Sequence, residues 1–361
     1  MAMAANKLYD HMMAGGTFHI TDGAKKIVDV SSLGDGILPV EKLAQYIRVV
    51  RENSPVLGEA TYKKINGSSL AISKVNMANG ILTPGRDSSG TKRVVPDADQ
   101  AKADVTTNSL VPKELIAKLV IDYDTLDYNL EQDAFESTLM DMFGAASNED
   151  LERYFMFADS SITWGDSKES KLLSINDGWL KLAGNHIYGL ESEDGANDQD
   201  FDQFDGAGEE VDNWPIPLFK ALIKSIPKKY LAGKQNRQQF RLYVPFDVED
   251  AYSELVAARP TVRGDDALLG KDVLTYKNIP VIDIPSFEDD TYTDLCGVPA
   301  MLGKPANMYW GTKRSIRVES QKDIDWRQLK NVLSMSGDCH YEDENATGVA
   351  WLNKEKVVAS P

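Results

Sequence analysis

The side chains best spaced to do chemistry lie in one acidic stretch, Glu191 to Asp212. Asp198, Asp200, Asp202 and Glu209 fall at offsets 1, 3, 5 and 12, the carboxylate spacing of a calcium loop. Hard oxygen donors so placed would wrap a divalent cation. Gln203, however, stands where that loop's sharp turn needs glycine, and no helix pair flanks the run. A solvated acidic surface loop accounts for the same residues. The other reactive groups are scattered. His11, His19, His186 and His340 make no pair at metal-ligand spacing, and Cys296 and Cys339 are far apart. No zinc-protease, Cys-x-x-Cys, nucleophile-elbow or phosphate-loop motif occurs. Gly34-Asp-Gly36 lacks the strand and the third glycine of a dinucleotide fingerprint. Asn66-Gly-Ser68 and Asn345-Ala-Thr347 match the glycosylation sequon, but no signal peptide precedes them. The sequence therefore nominates no catalytic residue, no cofactor and no metal ligand beyond the calcium candidates.

Composition leaves a globular chain with room for two domains. Of 361 residues, 42% are apolar and 26% charged. No apolar run approaches the ~18 residues of a membrane helix, so no membrane partner is expected. The two cysteines read as free thiols in a reducing cytoplasm. The formal net charge of −17 repels phosphate and disfavours sequence-specific nucleic-acid binding.

The elements are clearer than any site. Phe240–Val244 alternates like a strand and Pro245 stops it. Asp247 then fits a helix N-cap, Glu249 and Asp250 load the first turn, and Val248, Tyr252, Leu255 and Val256 form one apolar face. Arg259-Pro260 ends that helix. A glycine-containing loop, Arg263–Gly270, leads to Val273–Ile284, two short strands broken by a turn at Lys277-Asn278. The longest helical stretch is Leu130 to about Ala158, with a stripe that includes Leu139, Phe143, Leu151, Tyr154 and Phe155. Trp214-Pro215 opens another helix, with Leu218, Phe219 and Leu222 on one face and Lys220, Lys224 and Lys228 on the other. Ile37–Arg51 is amphipathic and follows a loose polar arm.

From Tyr62 to Leu110 no helix is signalled. Leu70–Met77 reads as a strand, Gly80–Gly90 as a turn-rich tip, and Thr91–Val95 as the returning strand. So long a helix-free stretch fits a hairpin that reaches out to a partner. The last third is mostly strand-like: Asn307–Gly311, Ser315–Glu319, Asp325–Met335 and Ala346–Val358.

This order resembles the major capsid proteins of tailed double-stranded DNA bacteriophages, the Hong Kong 97-type (HK97-like) fold. The features that carry it are Asp166–Leu180, the strand–helix–glycine-loop–strand run Phe240–Ile284, and Asn307–Glu319. The resemblance implies an α+β subunit in five parts. Residues 1–61 would be an N-terminal arm and 62–112 an extended loop over an adjacent subunit. Residues 113–171 would be a peripheral domain with a spine helix at 130–158. Residues 172–318 would be an axial domain with the acidic insertion 191–212, and 319–361 a return to the peripheral domain. It also implies a non-enzymatic building block of the virion, assembled in the host cytoplasm into hexamers and pentamers. Its expected partners are a separate scaffolding protein, a portal, decoration proteins and non-specifically touched DNA. An acidic wall suits a container that must not adhere to its genome. Some members of the family join an extended-loop Lys to a peripheral-domain Asn with help from a Glu. Lys92 and Asn331 occupy matching positions here, but the nearby acid is Asp338, and ordinary surface residues remain the alternative. An encapsulin shell would share the fold, and a soluble hydrolase is the remote alternative.

Overall fold

The computed structural model describes residues 55–77, 82–86, 88–92, 94, 103–122, 133–190, 200–201, 213–258, 274–313, 317–323 and 325–355. The amphipathic segment Ile37–Arg51 and the loop Arg263–Gly270 lie outside these residues. Helices and strands are mixed along the chain, an α+β arrangement built on two sheets and a separate ribbon.

The first sheet has five strands: β1 (Thr61–Lys64), β4 (Lys113–Asp122), β10 (Met308–Thr312), β11 (Arg317–Asp323) and β12 (Gln328–Tyr341). The long β12 pairs antiparallel with β10 and β11 along one edge and with β4 along the other. Strict alternation of burial over Gln328–Met335 sets its register, because a one-residue slip would turn Leu329, Leu333 and Met335 out of the core. Against this sheet lies α2 (Asp133–Phe157); α1 is the short helix Pro55–Glu59. At 1.5 Å per residue, the 25 residues of α2 span about 37 Å. Its last two turns enter the core: Leu151, Tyr154, Phe155, Met156 and Phe157 are all buried. Phe155 packs 5.8 Å from the Trp310 ring and 6.0 Å from that of Trp179, centroid to centroid.

The second sheet has six strands in the order β5 (Asn185–Leu190), β13 (Gly348–Glu355), β9 (Pro299–Gly303), β6 (Arg241–Val244), β8 (Ile279–Asp283) and β7 (Thr275–Tyr276). Helices α4 (Pro215–Ser225) and α5 (Phe246–Ala257) bring Phe219 and Tyr252 to its core; α3 (Lys168–Leu173) belongs to the first body. Strands β6 and β8 are parallel, which demands a crossover, and α5 supplies it. Lys277 and Asn278 turn the β7–β8 hairpin with φ of 50° and 69°, the left-handed pair of a type I′ turn. Tyr243, Met301 and Val349 of this sheet belong to the same buried cluster as Phe155 and Trp310, so the two bodies share a core.

Three expectations are corrected. A boundary at residue 318 does not divide the bodies. Strand β10 lies before it yet sits in the five-stranded sheet, and β13 lies after it yet is inserted between β5 and β9. Hydrogen-bond partners far apart in sequence decide this, and a linear reading cannot see them. Asp247 is not the N-cap of α5. The helix starts at Phe246 behind Pro245, and Glu288 from another element accepts from the Asp247 N–H at 3.4 Å. The returning strand of the hairpin is β3 (Ala103–Leu110), paired with β2 (Leu70–Met77), and not Thr91–Val95. Near the tip, Arg86 and Lys92 form the only bridge among the described residues.

Gly178 shows how closely α2 is held. A Cβ there would lie 2.7 Å from the Phe155 carbonyl oxygen and 2.8 Å from that of Met156. Gly178→Ala is expected to cost about 1–3 kcal/mol, read as a lower urea midpoint with unchanged slope.

Candidate assembly surface

The β2–β3 ribbon joins no other strand among the described residues. Its two faces differ. Leu70, Ile72 and Lys74 share one face with Leu110, Asn108 and Thr106, and this face looks onto the body. Ile72 and Leu110 are buried with Ile65 in a small core at the ribbon's root. The opposite face carries Val75 directly across from Val105, 63% and 57% exposed. Further out, Leu82 and Val94 are 96% and 91% exposed. An isolated two-stranded ribbon is marginal in water, so one face must be held and the other asks for a cover.

Two carboxylates hold it. Asp338 accepts hydrogen bonds from the Val111 N–H at the end of β3, from the Asn176 amide and, at 2.7 Å, from the Cys339 N–H. Burial pushes the Asp338 carboxyl above the usual aspartate range, against the pull of those donors. Asp343 takes the Lys74 ammonium and the Tyr230 hydroxyl on one oxygen. Its own N–H donates to Asn307 Oδ1 and its carbonyl accepts from Asn307 Nδ2, each at 2.8 Å. The Asn108 amide donates to the Tyr341 carbonyl at 2.9 Å. Asp343 thus ties together the ribbon, the segment after α4 and the start of β10.

Burial alone would raise the Asp343 carboxyl, but the Lys74 and Tyr230 hydrogen bonds and the Lys74 charge hold it below its ordinary value. A carboxylate depressed on folding contributes stability above its unfolded pKa, near 4, and that contribution is lost as pH falls through the folded value. Asp343→Asn is expected to lower stability by about 1–3 kcal/mol at pH 7 and to leave a shallower decline below pH 4. Urea titrations of both proteins across that range check it.

Among the described residues, the sequence-nominated ones are not gathered into a site. Asp200 accepts a hydrogen bond from the Tyr188 N–H at 3.0 Å, so it fixes the edge of β5. Asp198, Asp202 and Glu209 lie outside the described residues. Lys92 is exposed near the ribbon tip. Asn331 is fully buried on the core face of β12, and Asp338, seven positions on, points to the other face. Lys74, Asn108 and Asp343, which anchor the ribbon, carry no recognisable sequence signal. A lysine inside an alternating strand is the only local hint.

No protein-family model matches the chain. YqbE of Bacillus subtilis (strain 168), assigned as a prophage capsid protein, is 30% identical over 318 residues, covering 86% of this chain and 91% of its own. The chain belongs to the phage capsid protein family. Solved structures agree on the fold of this capsid protein. The satellite phage P4 procapsid, which includes its size-determination protein, superposes with a TM-score of 0.62 at 14% identity and covers 98% of both chains. Mycobacterium phage Cain gives a TM-score of 0.51 at 11% identity, over 85% of this chain and 91% of that one. The capsid subunit therefore has a structural role in a phage head, and the virion is its place.

Proposed function

We propose that this capsid subunit assembles into the hexamers and pentamers of an icosahedral head that encloses double-stranded DNA, with each ribbon laid over a neighbouring subunit. The five-stranded body with α2 serves as the peripheral domain and the six-stranded body as the axial domain. The observation that carries the reading is the ribbon itself: anchored on one face, apolar and open on the other at Val75 and Val105. Burying that face in a neighbour removes apolar surface from water at about 25 cal/mol per Å². A separate scaffolding protein guides assembly in the host cytoplasm. A portal fills one vertex, decoration proteins attach outside, and DNA contact is weak and non-specific, a reading the net charge of −17 permits. No cross-link at Asn331 belongs to this reading, because its amide is closed to a lysine arriving from outside.

Light scattering with negative-stain microscopy tests it, on the purified subunit with and without a co-expressed scaffold. Rings or closed shells are expected. A monomer of 39.9 kDa in both preparations would overturn the proposal.

A further inference from the structure

Between Asp212 and Asp247 the chain holds seven Lys and Arg and no Asp or Glu, in a protein whose formal charge is −17. The stretch folds as α4 and two short helices after it, Lys228–Leu231 and Lys234–Gln238. Its apolar side faces the six-stranded sheet, where Leu218, Phe219, Leu222 and Leu231 are buried. Helical spacing therefore leaves Lys220 and Lys224 on the outer side of α4. Both are exposed, as are Lys228, Lys229 and Lys234. Arg237 Nε donates to the Leu231 carbonyl at 3.2 Å, which folds the third helix back on the second.

No described carboxylate neutralises these lysines. Lys220, Lys224, Lys228 and Lys234 make no ion pair among the described residues, and Lys229 lies over the Tyr230 ring. At physiological ionic strength charges are screened beyond about 8 Å, so the local positive charge governs what touches this face, whatever the net charge. Its chemistry also selects the kind of anion. No large apolar side chain is exposed between Trp214 and Pro245, so the face lacks the apolar centre of a protein interface. Exposed Gln235, Gln238 and Gln239 add amide donors, which bind phosphate oxygens as readily as lysine does. Along α4, Lys220 and Lys224 are four residues apart, a rise of ~6 Å. Phosphates of one duplex strand advance ~3.4 Å per base step, so this pair spans about two steps. Lysine meets phosphate as a point charge and asks for no base sequence.

We infer that α4 and the two short helices after it form the face that meets the phosphate backbone of enclosed double-stranded DNA, through Lys220, Lys224, Lys228, Lys229 and Lys234. This rests on the proposed enclosure of DNA and adds the face that touches it. The remaining surface, more acidic still, repels the duplex, so contact is confined to one small face per subunit.

DNA-filled particles test it. Formaldehyde joins a lysine amine to a base amine through a methylene bridge. Peptide mapping after this treatment is expected to place DNA adducts on Lys220, Lys224 or Lys228, and to find none in empty shells. Adducts confined to lysines elsewhere would overturn this inference and leave the enclosure intact. Particles that hold no DNA would overturn the enclosure itself. A second measurement follows the full-length subunit on a labelled random-sequence duplex by fluorescence anisotropy, from about 20 to 150 mM salt. Five phosphate contacts predict a slope of log K against log salt of about −4.5. Combining Lys220→Gln, Lys224→Gln and Lys228→Gln should bring it to about −2, with an unchanged urea midpoint and normal shell yield. Combining Lys64→Gln, Lys113→Gln and Lys118→Gln, all exposed on the five-stranded body, should leave the slope as it is. Equal slopes for wild type and the first triple variant would overturn the inference. A first triple variant that binds DNA like wild type but forms no shells would overturn it too, and assign the face to a second copy of the chain.

Discussion

Replacing residues 78–102 with a two-residue Asn-Gly turn is expected to abolish shell formation while leaving the subunit folded. Met77 and Ala103 are a paired position, so such a turn closes the hairpin in register. What remains of the ribbon keeps every described anchor: Ile72 and Leu110 in the root core, Lys74 on Asp343, and Val111 on Asp338. The removed part contributes no buried residue among those described, with Leu82 and Val94 at 96% and 91% exposure. Thermal unfolding should therefore shift by only a few degrees, whereas particle yield should fall at least about tenfold, the effect of losing ~1.4 kcal/mol per contact. Normal shells from this variant would remove the ribbon from the account of assembly.

The second large effect lies in the core. Phe155→Ala is expected to cost about 3–5 kcal/mol, a large share of the 5–15 kcal/mol that usually holds a domain together. Phe155 is fully buried and packs against Tyr154, Trp179 and Trp310, and its carbonyl accepts from the Cys339 thiol at 3.3 Å. The last turn of α2 and the centre of the five-stranded sheet meet there, so a cavity loosens both. The contrast with Val75→Ser is instructive. Val75 is 63% exposed in the free subunit, so its loss should change unfolding by less than about 0.5 kcal/mol and act on assembly. Urea midpoints and particle yields, measured on both variants, should move in opposite patterns.

The sequence makes local structure legible where neighbours in the chain decide it. The long helix α2, the strand–helix–strand run through Val244, Tyr252 and Val281, and the turn at Lys277-Asn278 all follow from such neighbours. What it hides is pairing between distant segments. Strand β13 reads as a closing strand, but its insertion between β5 and β9 depends on residues some 50 to 160 positions away. The ribbon's return is hidden for a related reason. Thr91–Val95 has the β-branched residues, yet Ala103–Leu110 has the partners, with Asn108 and Leu110 fitting the body as Leu70 and Ile72 do. Asp343 is the plainest case. An aspartate after a strand is ordinary, and only the folded chain brings Lys74, Tyr230 and Asn307 to it.

The central claim is that the ribbon works between subunits, and cryo-electron microscopy of particles from subunit co-expressed with its scaffold tests it most directly. The account predicts closed icosahedral shells in which the β2–β3 ribbon of each subunit crosses its neighbour, with Val75 and Val105 buried under that neighbour. Shells in which the ribbon lies on its own subunit, with both valines still facing solvent, would contradict it.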